Sequence, residues 1–459
     1  MAPDFTYSSE RSSDRPPLVV IRSSDPCFLD VLRCCGKADI PVVPVVFYWE
    51  GSGPWISEYS CYYKDPVQIP NPARDEAGAV SALQELGQQL LDRYGCKMMI
   101  VPTSDTSQVF LQQYFEALKP FYFQMGNSDF NSSCMDRIYK DHFAHLMEEA
   151  GLPIPRSFAC SDPSDIPAIL QRIDYPCVFK PAIKDITNSF QTLHDKKKAV
   201  ECGDESSLIA GLEGALQKGY RLVVQEKIVF DRLEDEMTCY VYADGNHRVR
   251  MFSGQHKIEE HPKPYGTGVA SRFIYKEELQ PLAQRLVTAL KWRGFLGIEF
   301  MRDSRDGQWK IIEANMRPWL SILFQAHVGF NYIEYLYRDL YEDLHGLPDL
   351  LLPDVRQRTQ PFYRLHMRVF LDMILNSAST AEDALNALGQ WLESHKGDLC
   401  LTSFIAADPV PGIRELELLQ ADYPPWMKNA IQLLMAYLNC FQPDKFQKGS
   451  DDTRNDGRS

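Results

Sequence analysis

The chain is poor in basic blocks, in paired cysteines and in long apolar runs. Its 459 residues carry 48 lysines and arginines against 62 aspartates and glutamates, a formal net charge of -14. The longest basic run, 196–198, is short and lies beside acids. Polyanion footprints rest on clustered cations, so nucleic acid is not an expected partner. No apolar stretch reaches the roughly 20 residues of a spanning helix, so no membrane partner is expected either. Residues 1–15 are polar and mixed in charge, unlike a signal peptide. The twelve cysteines are scattered, with no CxxC spacing. That pattern argues against a thiolate zinc site or a disulfide scaffold, and for reduced, buried thiols in a cytoplasmic protein.

Nucleotide and catalytic signatures of several kinds are also missing. No GxGxxG follows the first apolar run at 18–21, so there is no dinucleotide fingerprint. No GxxxxGK followed by serine or threonine occurs, which excludes a P-loop. The ten histidines form no HExxH; His142 and His145 share a helix face but have no third ligand in the pattern. Ser133 and Cys134 carry no signal of a nucleophilic triad.

What is present is an ordinary globular composition, 44% hydrophobic and 24% charged, in a chain long enough for two to four domains. Residues 1–17 are charged and serine-rich, and disorder is expected there. Strands at 18–21, 42–47 and 97–101 alternate with helices at 23–35, 77–93 and 109–115. This predicts an N-terminal α/β domain over 18–125 with a mainly parallel sheet. A second domain spans 126–345. Helices are expected at 136–150, 162–173, 205–218 and 277–291, and strands at 154–158, 175–181, 195–201, 221–228, 237–243 and 248–252. The strands of this region read as a small antiparallel sheet, and a lid subdomain is placed at about 175–251. An aromatic-rich helix follows at 329–344. Residues 346–441 are expected to form a C-terminal helical or mixed subdomain, with 364–376 as strand or helix and helices at 381–394, 413–419 and 425–437. The charged tail, 442–459, is expected to be disordered. The fold class is multidomain, α/β and α+β.

The stretch 294–318, GFLGIEFMRDSRDGQWKIIEANMRP, reads as strand, polar turn, strand. Such a hairpin brings Glu299, Glu313 and Asn315 onto one patch. Two carboxylates and an amide oxygen are hard ligands suited to Mg²⁺ that also holds phosphates, and a solvated sheet edge is the plainer alternative. Lys180 ends an apolar strand, either as a point charge for phosphate or as a snorkelling surface lysine. Lys140 lies in a helix after a serine-rich loop. Gln225, Glu226, Lys227 and Ile228 close another apolar strand, whose backbone edge could bind an adenine. Asp235 and Glu236 follow, where a carboxylate could take ribose hydroxyls. In 254–272, Gly266-Thr267-Gly268 could approach an anion, with Lys257 and Arg272 to neutralise a phosphate or a carboxylate.

In this order, the features resemble the ATP-grasp superfamily. The matching segments are Lys140, YPCVFKP with Lys180, VVQEKI, the acidic pair, FLGIEFMRD and KIIEANMRP. KPA at 180–182, KKA at 197–199 and EANMRPWLS look most similar to carboxylate–amine ligases of the D-aspartate-ligase-like branch. The resemblance implies an ATP-grasp fold with an N-terminal parallel-sheet domain. It implies that Lys140, Lys180 and Lys198 contact the nucleotide, that Gln225, Glu226, Lys227 and Ile228 frame the adenine, and that Asp235 or Glu236 meets the ribose. Glu299, Glu313 and Asn315 would carry two Mg²⁺ ions, with Mn²⁺ able to substitute. Arg272, Arg317 and Lys257 would be the catalytic cations. The implied reaction joins a carboxylic acid or amino acid to an amine through an acylphosphate, releasing ADP and phosphate. A kinase-like or amidoligase variant acting on a larger peptide is one alternative; a non-catalytic nucleotide-binding regulator is another. The substrates would be small molecules, and a homodimer is the default assembly. Two features depart from the pattern: 182–197 contains no glycine where a glycine-rich phosphate loop is usual, and Met316 stands where many relatives have proline. The resemblance is fullest over 140–318 and weakest over 351–442.

Overall fold

The computed structural model describes residues 15–48, 55–183, 190, 192, 194, 199–230, 232–261, 267–342, 344, 348–352, 361–402, 404–422 and 428. Five parallel strands open the chain: β1 (Leu18–Arg22), β2 (Val42–Tyr48), β3 (Val67–Pro70), β4 (Met98–Pro102) and β5 (Tyr122–Phe123). They stand in the order β3-β2-β1-β4-β5. Both faces are covered by helices, which is why LVVI and MMIVP are continuous apolar runs rather than alternating ones. Helix Glu76–Tyr94 is capped by Asp75, whose carboxylate accepts from Gly78 N at 2.8 Å, and stops at Gly95 with φ 69°. Helix Asp105–Gln113 begins directly after β4 on a capping box between Ser104 and Ser107. Order reverses between β1 and β4, and ligands of open α/β sheets gather beside such a reversal.

A four-stranded antiparallel sheet comes next, from β6 (Ser157–Cys160), β7 (Cys177–Pro181), β8 (Val200–Cys202) and β9 (Leu222–Glu226), in the order β6-β9-β7-β8. The largest sheet has seven strands: β10 (Glu236–Ala243), β11 (Val249–His261), β12 (Thr267–Phe273), β13 (Gly294–Arg302), β14 (Trp309–Asn315), β15 (Phe362–Leu365) and β16 (Asp398–Leu401). Their order is β14-β13-β10-β11-β12-β15-β16, and only β15 and β16 run parallel. One apolar core joins helix Asp25–Lys37, β10, β11, β13 and helices Gln280–Leu290 and Tyr332–Tyr341, so the large sheet and the first domain share their interior.

Several expectations need correction. The helix foreseen at 136–150 is two pieces, Met135–Ile138 and Lys140–Glu149. Tyr139 between them is extended (φ -73°, ψ 126°), and the Lys140 amide donates to Ala182 O at 3.0 Å. The first amides of a helix have no partner within it, so this outside carbonyl fixes where the helix starts. Residues 236–251 do not belong to the small sheet, which runs from 157 to 226. They open the large one, a pairing that alternation alone does not reveal. Strands β15 and β16, within the segment beyond 346, extend that same sheet. Residues 364–376 are neither strand nor helix alone: β15 ends at Leu365 and helix Met367–Ser377 follows. Arg15, inside the stretch expected to be disordered, pairs with Glu342 at 2.8 Å and donates to Asp39 O at 2.9 Å. The expectations for 1–14, 425–427, 429–441 and 442–459 lie outside the described residues. Among the described residues no helix is long and apolar enough to cross a membrane.

Candidate active site

The β13–β14 hairpin is the centre of the site. Its register sets Glu299 opposite Glu313 and Gly297 opposite Asn315, with an irregularity between Glu299 and Phe300. Ile298 and Phe300 are fully buried in the core, so alternation turns Glu299 to the other face. The turn is held by Asp303, itself fully buried. Its carboxylate accepts from Arg305 Nε and from Lys310 Nζ, both at 2.9 Å, and these bonds hold its pKa well below the usual carboxylate range. Gly307, at φ 71°, closes the turn by donating to Asp303 O at 2.7 Å. Asn315 Nδ2 donates to Glu313 Oε1 at 3.1 Å, which leaves the Asn315 carbonyl oxygen as that side chain's ligand atom.

The hairpin forms one wall of a cavity of about 590 Å³ between the small and large sheets. Of the residues singled out from the sequence, the cavity gathers Lys140, Lys180, Gln225, Glu226, Lys227, Ile228, Glu236, Lys257, Glu299, Glu313, Asn315 and Arg317. Lys198 lies outside the described residues. Two expectations are not met. Asp235 does not line the cavity; it sits on a short turn and faces Arg232 at 3.4 Å. Arg272 is exposed on β12, while its neighbour Ser271 is buried and lines the cavity. The period of a strand is two, so those adjacent side chains cannot share a face.

Lys140 and Lys180 are the cations set against the hairpin acids. Lys140 Nζ lies 3.3 Å from Glu313 Oε2. Burial works against its charge, yet Glu313, Asp105 and Glu299 outweigh it and raise its pKa. Lys180 makes no ion pair with any described residue, and burial together with Lys140 lowers its pKa to about 8 against the pull of Glu313 and Glu299. Burial pushes Glu313 upward, but Lys140 and Lys180 more than offset it and hold the carboxyl at about 2. Lys140 is thus paired with a Glu313 carboxyl that stays ionised, while Lys180 beside them makes no ion pair with any described residue.

Other side chains are already engaged. Lys257 Nζ binds Glu236 Oε1 at 2.7 Å and Glu260 Oε2 at 2.8 Å. Burial opposes its charge, but those carboxylates hold it well above the ordinary lysine range. Glu226 Oε1 accepts from Arg305 Nη2 at 2.6 Å and lies 3.6 Å from Lys310, so it ties β9 to the hairpin turn. Gln225 Nε2 donates to Ser157 Oγ at 2.9 Å. Arg317 makes a two-pronged ion pair with Asp105, Nη2 to Oδ2 at 2.9 Å, and so fastens the hairpin to the first domain. The sequence reading missed Asp105, Tyr240, Trp319 and Arg364, which also line the cavity. Trp319 stands in the quoted EANMRPWLS run, and Asp105 comes three residues after an apolar strand; Arg364 had no local signal.

The donor set fits Mg²⁺ on a nucleotide. Glu299, Glu313 and Asn315 offer hard oxygens, and no group of three or more His, Cys, Asp or Glu side chains suited to a metal occurs among the described residues. A cation held by so few protein oxygens needs phosphate and water to complete its shell, which is the habit of Mg²⁺. A second cavity, about 430 Å³, lies in the first domain and is lined by Arg22, Asp25, Phe47, Trp55 and Phe110 among others. None of the expected site residues reaches it.

These features define an ATP-grasp fold with an N-terminal parallel-sheet domain, as comparison with solved structures bears out. The chain is similar to N5-carboxyaminoimidazole synthetase from Staphylococcus aureus, with TM-score 0.55, 14% identity, and 83% of this chain and 87% of that one covered. It is also similar to biotin carboxylase in a β-γ-ATP complex from Campylobacter jejuni, with TM-score 0.53, 15% identity, and coverage of 73% and 72%. Among curated proteins, D-aspartate ligase of Enterococcus faecium (strain Aus0004) is 26% identical over 288 residues, 60% of this chain. The match spans 64% of that relative's length. No family model matches the chain.

Proposed function

We propose that the protein is an ATP-dependent carboxylate–amine ligase that forms an amide or peptide bond between small molecules, one of them an acid or amino acid. The observation that carries this reading is the Glu299–Glu313 pair in register on one hairpin, with Lys140 and Lys180 converging on it. Its similarity to D-aspartate ligase supports the same reading.

In the proposed reaction a carboxylate oxygen of the acid attacks the γ-phosphorus of ATP, and the bond to ADP breaks. The amine then attacks the acylphosphate carbonyl, phosphate leaves with that carboxylate oxygen, and the amine loses a proton. Charge neutralisation on the transferring phosphoryl group is the main requirement. Lys180, unpaired among the described residues, is suited to bind phosphate, and Lys140 to hold Glu313 and a neighbouring phosphate together. Glu299, Glu313 and Asn315 would hold Mg²⁺, which would screen phosphate charge when bound. Gln225 to Ile228 line the cavity and would frame the adenine, and Glu236 would be the acid for the ribose. The small sheet, linked to the hairpin through Glu226 and Arg305, would exclude water from an intermediate that hydrolyses.

The test is release of ADP from ATP across pairs of amino acids, small acids and amines, followed by product mass. A ligase gives ADP only with both substrates and a product of acid plus amine minus water. Transfer of phosphate to one substrate, or tight ATP binding with no turnover across the panel, would replace this reading with a kinase or a nucleotide-binding regulator.

A further inference from the structure

Two arginines are buried near the junction of the first domain and β15. Arg33, 1% exposed, is fully engaged: Nε donates to Asp408 Oδ2 at 2.9 Å, and its other nitrogens to the carbonyls of Thr402 and Asp408. Arg364, 4% exposed, is not. Its Nη2 donates to Leu320 O at 2.7 Å, its Nε has no partner, and it forms no ion pair with any described residue. Asp30 acts on it through space but also answers to Arg33. A guanidinium keeps its charge under burial, so buried donors left without a partner are costly. Arg364 also lines the 590 Å³ cavity, in register with Ser271 of β12. Its planar fork matches a carboxylate.

The neighbourhood places that fork relative to the hairpin. Tyr240 and Trp319 stack with centroids 4.1 Å apart and an interplanar angle of 12°. A Cβ at Gly297 would meet both rings at 3.4 Å, so the stack lies against Gly297. Gly297 and Glu299 share a face of β13 about 7 Å apart, one full pleat. Leu320, whose carbonyl holds Arg364, directly follows Trp319. The aromatic stack therefore lies between the hairpin acids and Arg364.

We infer that Arg364 anchors a carboxylate of the acid or amino-acid substrate, held across the Tyr240–Trp319 stack from Glu299 and retained in the product. The inference rests on the ligase reading for its substrate class. It makes the substrate doubly functional: one carboxylate is activated at the hairpin and a second is recognised by Arg364.

Calorimetric titration of the full chain with Mg²⁺ and a non-hydrolysable ATP analogue tests this. The probes are succinate, D-aspartate, L-aspartate, the monoamides of each, and inorganic phosphate. At least one diacid should bind, with a monoamide tenfold or more weaker. Arg364→Met should lose tenfold or more for the diacid yet bind the monoamide as the parent does, with analogue affinity unchanged. Arg364→Lys, which keeps the charge without the fork, should fall between. Equal diacid binding by parent and Arg364→Met overturns the inference, as does binding of none of the diacids, or a loss confined to inorganic phosphate. The two readings fail separately. No ADP release from any pair, with the Arg364-dependent binding intact, defeats the ligase; ADP release with an unchanged KM for the acid in Arg364→Met defeats the anchor.

Discussion

Lys180 gives the sharpest pH signature of the site. Burial and the Lys140 charge lower its pKa to about 8. A group of that pKa is about 90% charged at pH 7 and about 10% charged at pH 9. Only the charged form attracts phosphate, and a bound triphosphate restores the proton. The Kd for ATP in the presence of Mg²⁺ should therefore rise about tenfold from pH 7 to pH 9, with net proton uptake on binding above pH 8. Lys140, whose pKa is raised, and Glu313, held at about 2, keep their charges across this window. Calorimetry in two buffers of different ionisation enthalpy reads both the affinity and the proton count. Lys180→Arg should bind ATP with a flat profile, because a guanidinium stays charged throughout. A flat profile in the parent protein, or the same slope in Lys180→Arg, would refute the assignment of Lys180 to the phosphates.

Two further perturbations test the scaffold around the site. Asp303→Asn removes the buried carboxylate that answers Arg305 and Lys310 and should destabilise the fold by about 2–4 kcal/mol in urea titrations, a figure kept below that of a fully buried pair because Arg305 is partly exposed. The Asp303 carboxyl titrates below its unfolded value, so the advantage of the parent is full above about pH 4 and shrinks as pH falls toward the folded pKa. Asp105→Asn halves the two-pronged pair with Arg317 and should cost about 1.5–3 kcal/mol, read as a lower urea midpoint. An unchanged midpoint in either variant contradicts the linkage described for it.

Much of this was legible locally. Alternation around Glu299 and Glu313 and the polar turn between them were enough to expect the hairpin, and β13 and β14 match it closely. Apolar runs beside helical periodicity announced the parallel sheet of the first domain. Tertiary pairing was not legible. Arg364 lies beyond a stretch without site motifs, and only the antiparallel pairing of β15 with β12 carries it to the cavity. Arg272 illustrates the converse: nothing nearby in the sequence said which face of β12 it would take, and one residue of register decides it. Lys257 and Glu236 were each foreseen as ligand-facing groups, yet the pairing of β10 with β11 sets them against one another. Sequence reading recovered the chemistry that repeats locally and missed the chemistry assembled by distant strands.

The most direct test of the central claim follows one oxygen atom. With the acid–amine pair that the ADP-release screen returns, the acid is labelled with ¹⁸O in its reacting carboxylate and the released phosphate is analysed by mass. Attack of that carboxylate on the γ-phosphorus predicts one ¹⁸O per phosphate formed, with amide product in equal amount. Unlabelled phosphate, with both labelled oxygens kept by the acid, would contradict an acylphosphate and with it the ligase mechanism.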